Sequence, residues 1–315
     1  MSNNNYSLNI TDIFKVNGGP SPVAVFEKPI GESNDSAYQS ILKNTYRAGF
    51  KITKIAQIDF CKNSVLFTSI QVINKGKHTL FDTSGNCGNS MSASIYYAYR
   101  HLFIPQTKVV LKSAKSDFSI SAWNYFEKDN NASFNLHIDS LENFKLDKSQ
   151  ISNRTTRFGD KQIPYTLINI ANPYIILPAE RFGVNDVVRM TSSTEDSLIT
   201  LLSQIRKHII QVSQLPLDSE FPKVAIVSQK NESIQARTIY LNKFHPGLPL
   251  TGVINLIIAY YSGAHVYSSF GKNKKVIEVF SPSGPVKVYT EFSDDKTKIS
   301  SLDILDRKVR YITRI

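Results

Sequence analysis

Apolar, β-branched and aromatic residues recur in short runs, separated by clusters of Asn, Gly, Ser and Lys. This pattern predicts a chain dominated by strands. The runs are SPVAVFE (21–27), KITKIAQIDF (51–60), SVLFTSIQVIN (64–74), TKVVLKSA (107–114), SFNLHID (133–139) and a long YTLINIANPYIILPA (165–179). KVAIVS (223–228), ARTIYLN (236–242), VIEVFS (276–281) and PVKVYTEF (285–292) follow. Helical periodicity is confined to four stretches, at 33–48, 88–103, 195–215 and 251–264. The third has a strong 3.6-residue repeat, with Thr194 as its expected N-cap. The fourth is apolar nearly all round and the second is apolar and rich in small residues, which predicts that both are buried.

The order of these elements predicts the architecture. Several strands precede the helix at 88–103, and several more precede the one at 251–264. The expected class is α+β: two similar β-rich domains, each a highly curved mixed sheet or barrel around one buried helix, rather than a βαβ array. The long strand ending near 179 places the expected seam there. It divides the chain into 1–180 and 181–302, with 303–315 as a segment that could return to the first half.

A length of 315 residues suits two such domains. A formal net charge of +11 calls for an anionic partner. The basic residues are scattered; the densest runs, KNKK (272–275) and KTK (296–298), sit among turn residues and read as solvated loops. With no polybasic arm, aromatic-basic ribbon or zinc-finger spacing, nucleic acid is not expected. No stretch of about 18 apolar residues predicts a membrane span. MSNNNYSLNITDIF lacks the basic and apolar regions of a signal peptide, so a cytoplasmic, reducing setting is expected. Cys61 and Cys87 are too few for a disulfide framework or a multi-cysteine metal site. The partner left standing is a small anionic metabolite, and a homodimer is compatible with the chain.

The densest candidate chemistry lies at TSGNCGN (83–89), which leads straight into the helix at 88–103. The first N–H groups of a helix lack intrahelical acceptors, and the helix dipole adds partial positive charge there. Such an end binds anions and lowers the pKa of a cysteine placed on it. A tight strand-to-helix turn holding an inert cysteine is the plain alternative. HPGLPLTGVINLIIA (245–259) repeats the arrangement, running through Thr251 and Gly252 into the second buried helix. As a pair, the two helix mouths could hold the two ends of a dianion in one cleft.

At SGNCGNSMSASIYYA the sequence resembles the methylaconitate/methylitaconate isomerase (PrpF-like) family, which has the diaminopimelate-epimerase-type fold. The resemblance continues in order along nearly the whole chain: VNGGPSPVAVF (16–26), ITKIAQI (52–58), INIANPYIILPAERFGV (168–184), FPKVAIVSQ (221–229), FHPGLPLTGVINLIIAYYSGAHV (244–266), SPSGPVKV (281–288) and ILDRKVRYITRI (304–315). It implies a cofactor-free isomerase that moves a carbon–carbon double bond by a 1,3-proton transfer in a small di- or tricarboxylic acid, with the active site in the cleft between the domains. Lys54 and Cys87 map onto the family's acid/base pair. Gly88, Asn89, Thr251 and Gly252 would bind carboxylates, and Gly19, Ser21, Asn86, Ser90, His245, Ser283 and Gly284 would complete the pocket. No metal is implied. Three positions depart from the family pattern: Asn17, Pro22 and Ser281 stand where it has an arginine, a lysine and a histidine. Their loss points to a substrate with fewer carboxylates, or one with an amino or amide group.

Other readings stay open on the residues alone. An epimerase or racemase of the same fold would need two opposed acid/base groups, typically thiols. The second helix mouth offers Thr251, and Cys61 lies in the loop-like FCKNS. A cysteine-nucleophile enzyme would need a histidine and an orienting acid that the sequence does not assign. A non-catalytic ligand-binding protein could use the same cleft.

Overall fold

The structure is a computed structural model describing residues 10–29, 35–75, 78–101, 108–142, 144–146, 151–170, 172–215, 221–230, 233–240, 243–267 and 274–315. Lys272 and Asn273 of the KNKK run, and the ends of several expected elements (33–34, 102–103, 107 and 241–242), lie outside them. The first ten elements are β1 (Thr11–Val16), β2 (Val23–Glu27), α1 (Asp35–Arg47), β3 (Lys54–Cys61), β4 (Ser64–Lys75), β5 (His78–Asp82), α2 (Gly88–His101), β6 (Lys108–Ser113), β7 (Ser119–Lys128) and β8 (Asn131–His137). Then come β9 (Phe144–Lys145), β10 (Ile151–Phe158), β11 (Lys161–Asn169), β12 (Pro173–Pro178), α3 (Ser192–Val212), β13 (Lys223–Lys230), β14 (Ser233–Tyr240) and β15 (Lys243–Phe244). The chain closes with α4 (Leu250–Tyr261), β16 (Val276–Ser281), β17 (Gly284–Phe292) and β18 (Lys298–Arg314).

The chain divides into two compact units. Unit 1 runs to Ser140 and takes back Asp306–Ile315; unit 2 is Leu141–Leu305. The seam therefore lies about forty residues before the expected one. The long apolar run 165–179 is two strands, β11 and β12, which turn back on each other in antiparallel register (Asn169↔Pro173). β10 pairs with β11, and β12 pairs in parallel with β13, so this hairpin belongs to the second sheet.

In unit 1 the pairings close a ring. β1 pairs with β2, β2 with β3, β3 with β4, β4 with β6, β6 with β7, β7 with β8, β8 with the later half of β18, and β18 with β1. α2 packs against five of these strands and is buried from Gly88 to Ala98. A helix enclosed in this way must be apolar or small on every side, which its run of Ala, Ser, Ile and Tyr supplies. α1 covers the outer face, where Tyr38 and Ile41 join Ala24, Phe26, Ile55 and Ile70 in one cluster. The strands between α1 and α2 are thus buried on both faces, and they read as continuous rather than alternating apolar runs.

Unit 2 repeats the plan. Its two parallel pairs, β12–β13 and β14–β16, stand where β2–β3 and β4–β6 stand in unit 1, and the helices fall at matching points. α4, buried along its whole length, corresponds to α2. α3 corresponds to α1 and packs Leu198, Leu202, Ile205 and Ile209 on Ile175, Leu177, Val224 and Ile226. The cap of α3 is Thr191, whose side chain accepts the Thr194 N–H. The helix starts a turn earlier than the expected Thr194 cap because Ser192 and Ser193 are drawn into its first turn.

Ile95 of α2 is fully buried. Ile95→Ala is expected to cost about 2–5 kcal/mol, the range for emptying a core site that cannot collapse. Urea denaturation measures this directly.

Candidate functional site

The alternation of β3 explains how a lysine comes to be buried. Ile55 packs towards α1, and Gln57 accepts a hydrogen bond from the Tyr38 hydroxyl of α1 (2.8 Å). Successive strand residues point to opposite faces, so Lys54 and Ala56 face α2. Lys54 is only 7% exposed. At the mouth of α2, Cys87 stands just before the first helical residue, and its carbonyl accepts the Met91 N–H (2.9 Å). Lys54 and Cys87 both belong to unit 1, and the Lys54 ammonium acts electrostatically on the Cys87 sulfur.

This environment sets the charge of the thiol. Burial pushes Cys87 up, but the Lys54 ammonium and hydrogen bonds from the Ser90 N–H and hydroxyl outweigh it, bringing the thiol from 9.0 down to about 7. A thiolate at this position benefits from the unpaired N–H groups and the partial positive charge of the helix N-terminus. Ser69 donates its hydroxyl hydrogen to Ser90 (3.2 Å), which leaves the Ser90 hydroxyl free to donate towards the sulfur.

A third ionic group comes from the far end of the chain. Arg307 of β18 is buried beside α2. Its Nε donates to Ser92 Oγ (3.1 Å) and its Nη2 to Asn89 Oδ1 (2.8 Å). Burial pushes the guanidinium down, to about 10, while the Cys87 thiolate pulls in the opposite direction. Sequence reasoning missed Arg307, Ser69 and Ser92. The strand DRKVRYITR carries arginines at 307, 310 and 314, and only strand register tells which of them turns inward.

The other expected residues fall into three groups. Gly88, Asn89 and Ser90 form the first turn of α2 beside Cys87. Gly19 lies against this turn, where a Cβ would come within 2.9 Å of Asn89 Nδ2 and 3.1 Å of Val16 O. Ser21 and Asn86 brace neighbouring loops. Ser21 Oγ lies 2.7 Å from Thr53 Oγ1, just before Lys54, and Asn86 bridges Ser113 (3.0 Å) and Ser116 (3.1 Å). His245, Thr251, Gly252, Ser283 and Gly284 belong to unit 2. There His245 Nδ1 hydrogen-bonds to Gly247 (2.8 Å to its oxygen), and Thr251 accepts from Asn172 (3.3 Å). Thr251 and Gly252 are the second and third residues of α4, so their N–H groups are helix-end donors. Ser283 and Gly284 form the β16–β17 turn, with Ser281 Oγ 3.0 Å from Ser283 Oγ and Gly284 at φ 106°. Pro249 stands at α4 where Cys87 stands at α2, so this helix mouth has no thiol.

Both cysteines are free, and Cys61 is exposed. Among the described residues no three His, Cys, Asp or Glu side chains converge as a metal set, and no helix is long and apolar enough to cross a membrane.

With the geometry in place, comparison with known proteins defines the class of fold. No protein-family model and no curated protein sequence matches the chain. Solved structures do match it over nearly its whole length, and they show the two-domain α+β fold shared by methylitaconate isomerase, proline racemases and PhzF-type proteins. One is methylitaconate-delta-isomerase, with a TM-score of 0.67 and 16% identity over 98% of this chain and 94% of that one. Another is a probable proline racemase from Agrobacterium radiobacter K84 with bound carbonate (TM-score 0.62, 12% identity, 98% and 92% covered). A third is a hydroxyproline epimerase from Agrobacterium vitis with bound trans-4-hydroxy-L-proline (TM-score 0.59, 11% identity, 97% and 94% covered).

Three outcomes follow from this geometry. In a Cys61→Ser background, the ultraviolet absorbance of the Cys87 thiolate is expected to titrate with a midpoint near 7. The charged form is present above that pH and lost below it. Lys54→Met removes the strongest influence favouring the charge, so the midpoint should move up. Gly19→Ala drives a Cβ into Asn89 and the Val16 carbonyl. Chemical denaturation should show a loss of about 1–3 kcal/mol, the usual cost of overpacking.

Proposed function

We propose that the protein is a cofactor-independent isomerase that moves a carbon–carbon double bond by 1,3-proton transfer in a small unsaturated carboxylic acid. Lys54 and Cys87 are its acid/base pair. The observation that carries this reading is the buried Lys54 ammonium, whose charge favours the Cys87 thiolate at the mouth of α2. An epimerase must remove a proton from one side of a carbon and return it from the other. Lys54 and Cys87 both belong to the surroundings of one helix mouth, so they would act from one side of a substrate bound there. An allylic shift suits that arrangement, because both exchanging carbons lie on one face of the same planar system.

The chemistry is consistent with the surroundings. A thiolate with a pKa of about 7 is a competent base near neutral pH. Proton removal next to a carboxylate creates a delocalised dienolate. The Lys54 ammonium and the helix N-terminus at Gly88 and Asn89 are placed to stabilise that negative charge. The resemblance to methylitaconate-delta-isomerase in fold and in the order of motifs supports the same class of reaction, while its low identity leaves the substrate to be found by assay.

Incubating the protein in deuterated water with a panel of unsaturated di- and tricarboxylates tests the proposal. The expected result is deuterium at both allylic carbons with transposition of the double bond, reduced about 10²- to 10⁴-fold in Cys87→Ala and Lys54→Met. Exchange at a single stereocentre with inversion would instead establish an epimerase. No exchange anywhere in the panel would sink the isomerase reading.

A further inference from the structure

Arg307 poses a charge problem that the acid/base pair does not solve. Its side chain is more than nine-tenths buried, at 8% exposure. Its hydrogen bonds, to Ser92 Oγ and Asn89 Oδ1, are both to neutral oxygens and use only Nε and Nη2. Among the described residues Nη1 has no acceptor and no carboxylate pairs with the guanidinium. Arginine does not escape this cost by giving up its proton. A buried, unpaired charge costs several kcal/mol, and the cost is met only by an anion with good geometry.

Arg307 is tied to Asn89 and Ser92, in the first turns of the helix that Cys87 precedes, so the nearby anion is the Cys87 thiolate, on which Lys54, itself 7% exposed, also acts. Two buried cations thus surround one acid. With all three groups charged, the pocket is left with one positive charge in excess. The neutral bonds hold one edge of the guanidinium against α2, and the edge carrying Nη1 stays open. A carboxylate matches such an edge with two parallel N–H···O bonds.

We infer that the open edge of Arg307 receives a carboxylate of the substrate, making this arginine the anchor that sets the acid beside Cys87 and Lys54. The inference rests on the reading of those two residues as the proton-transfer pair.

The test uses the full chain in a Cys61→Ser background, with malonate as the anionic probe and malonamide as its uncharged counterpart. Iodoacetamide alkylation of Cys87 is followed with and without each probe, and thermal midpoints are recorded alongside. Malonate should slow alkylation saturably and raise the midpoint; malonamide should do neither. Arg307→Gln, which keeps hydrogen-bonding capacity and loses the charge, should weaken the malonate effect at least tenfold. Arg307→Lys, which keeps the charge and loses the fork, should fall between. Equal malonate protection in wild type and Arg307→Gln overturns the assignment, as does a lack of protection in wild type. Should Arg307→Gln not fold, an unchanged malonate constant in Arg307→Lys overturns it equally. The assay needs no turnover, so the two readings fail separately. Arg307-dependent protection without deuterium exchange refutes the isomerase and keeps the anchor. Exchange with an unchanged KM in Arg307→Lys refutes the anchor and keeps the isomerase.

Discussion

Enclosure of α2 by a closed ring of strands is the constraint from which the candidate site follows. A helix surrounded on its sides satisfies its backbone internally and has only its ends for polar work. Beyond Asn89 the side chains along α2 are accordingly small, apolar or aromatic as far as Ala98, and the unsatisfied N–H groups gather at one mouth. Every polar side chain that the strands turn inward near that mouth is removed from water along with it. Lys54, Ser69 and Arg307 reach the same turn of helix from three different strands because the ring leaves them nowhere else to point.

Burial also decides the chemistry. In water a lysine and a cysteine 33 positions apart would ignore each other. Inside this ring the ammonium, together with the Ser90 hydrogen bonds, outweighs the penalty of desolvating a thiolate. The same desolvation makes Arg307 costly without an anion. An excess of buried cations at a helix N-terminus is an electrostatic environment suited to developing negative charge, and it exists before any ligand arrives.

The duplication of the fold has a functional asymmetry within it. Units 1 and 2 share strand order, parallel pairs and helix positions. Yet the helix mouth of unit 1 carries Cys87, and that of unit 2 carries Pro249 followed by Thr251 and Gly252. The thiol belongs to the first of these mouths. The other keeps backbone donors and a close approach, where a Cβ on Gly252 would meet the Tyr174 hydroxyl at 3.0 Å.

Much of this was legible in one dimension. The burial of α2 and α4, the β-rich repeat and the candidacy of Cys87 all follow from local composition: apolar periodicity, and small residues leading into a helix. Lys54 was named through the resemblance of its motif, since its strand pattern alone suits a surface lysine. The seam escaped detection because the run 165–179 is apolar on both sides of its Asn172-Pro173 turn signal, so two antiparallel strands read as one. Strands β1, β7 and β10 and the full length of β18 were also not anticipated. Their exposed or charged positions interrupt the alternation. What only the tertiary structure decided is which charges meet. Arg307 lies 220 residues from Cys87, and its inward orientation depends on the register of β18 against β1 and β8. Shifting that register by one residue would turn Lys308 inward and Arg307 out, and nothing local in the sequence records the choice.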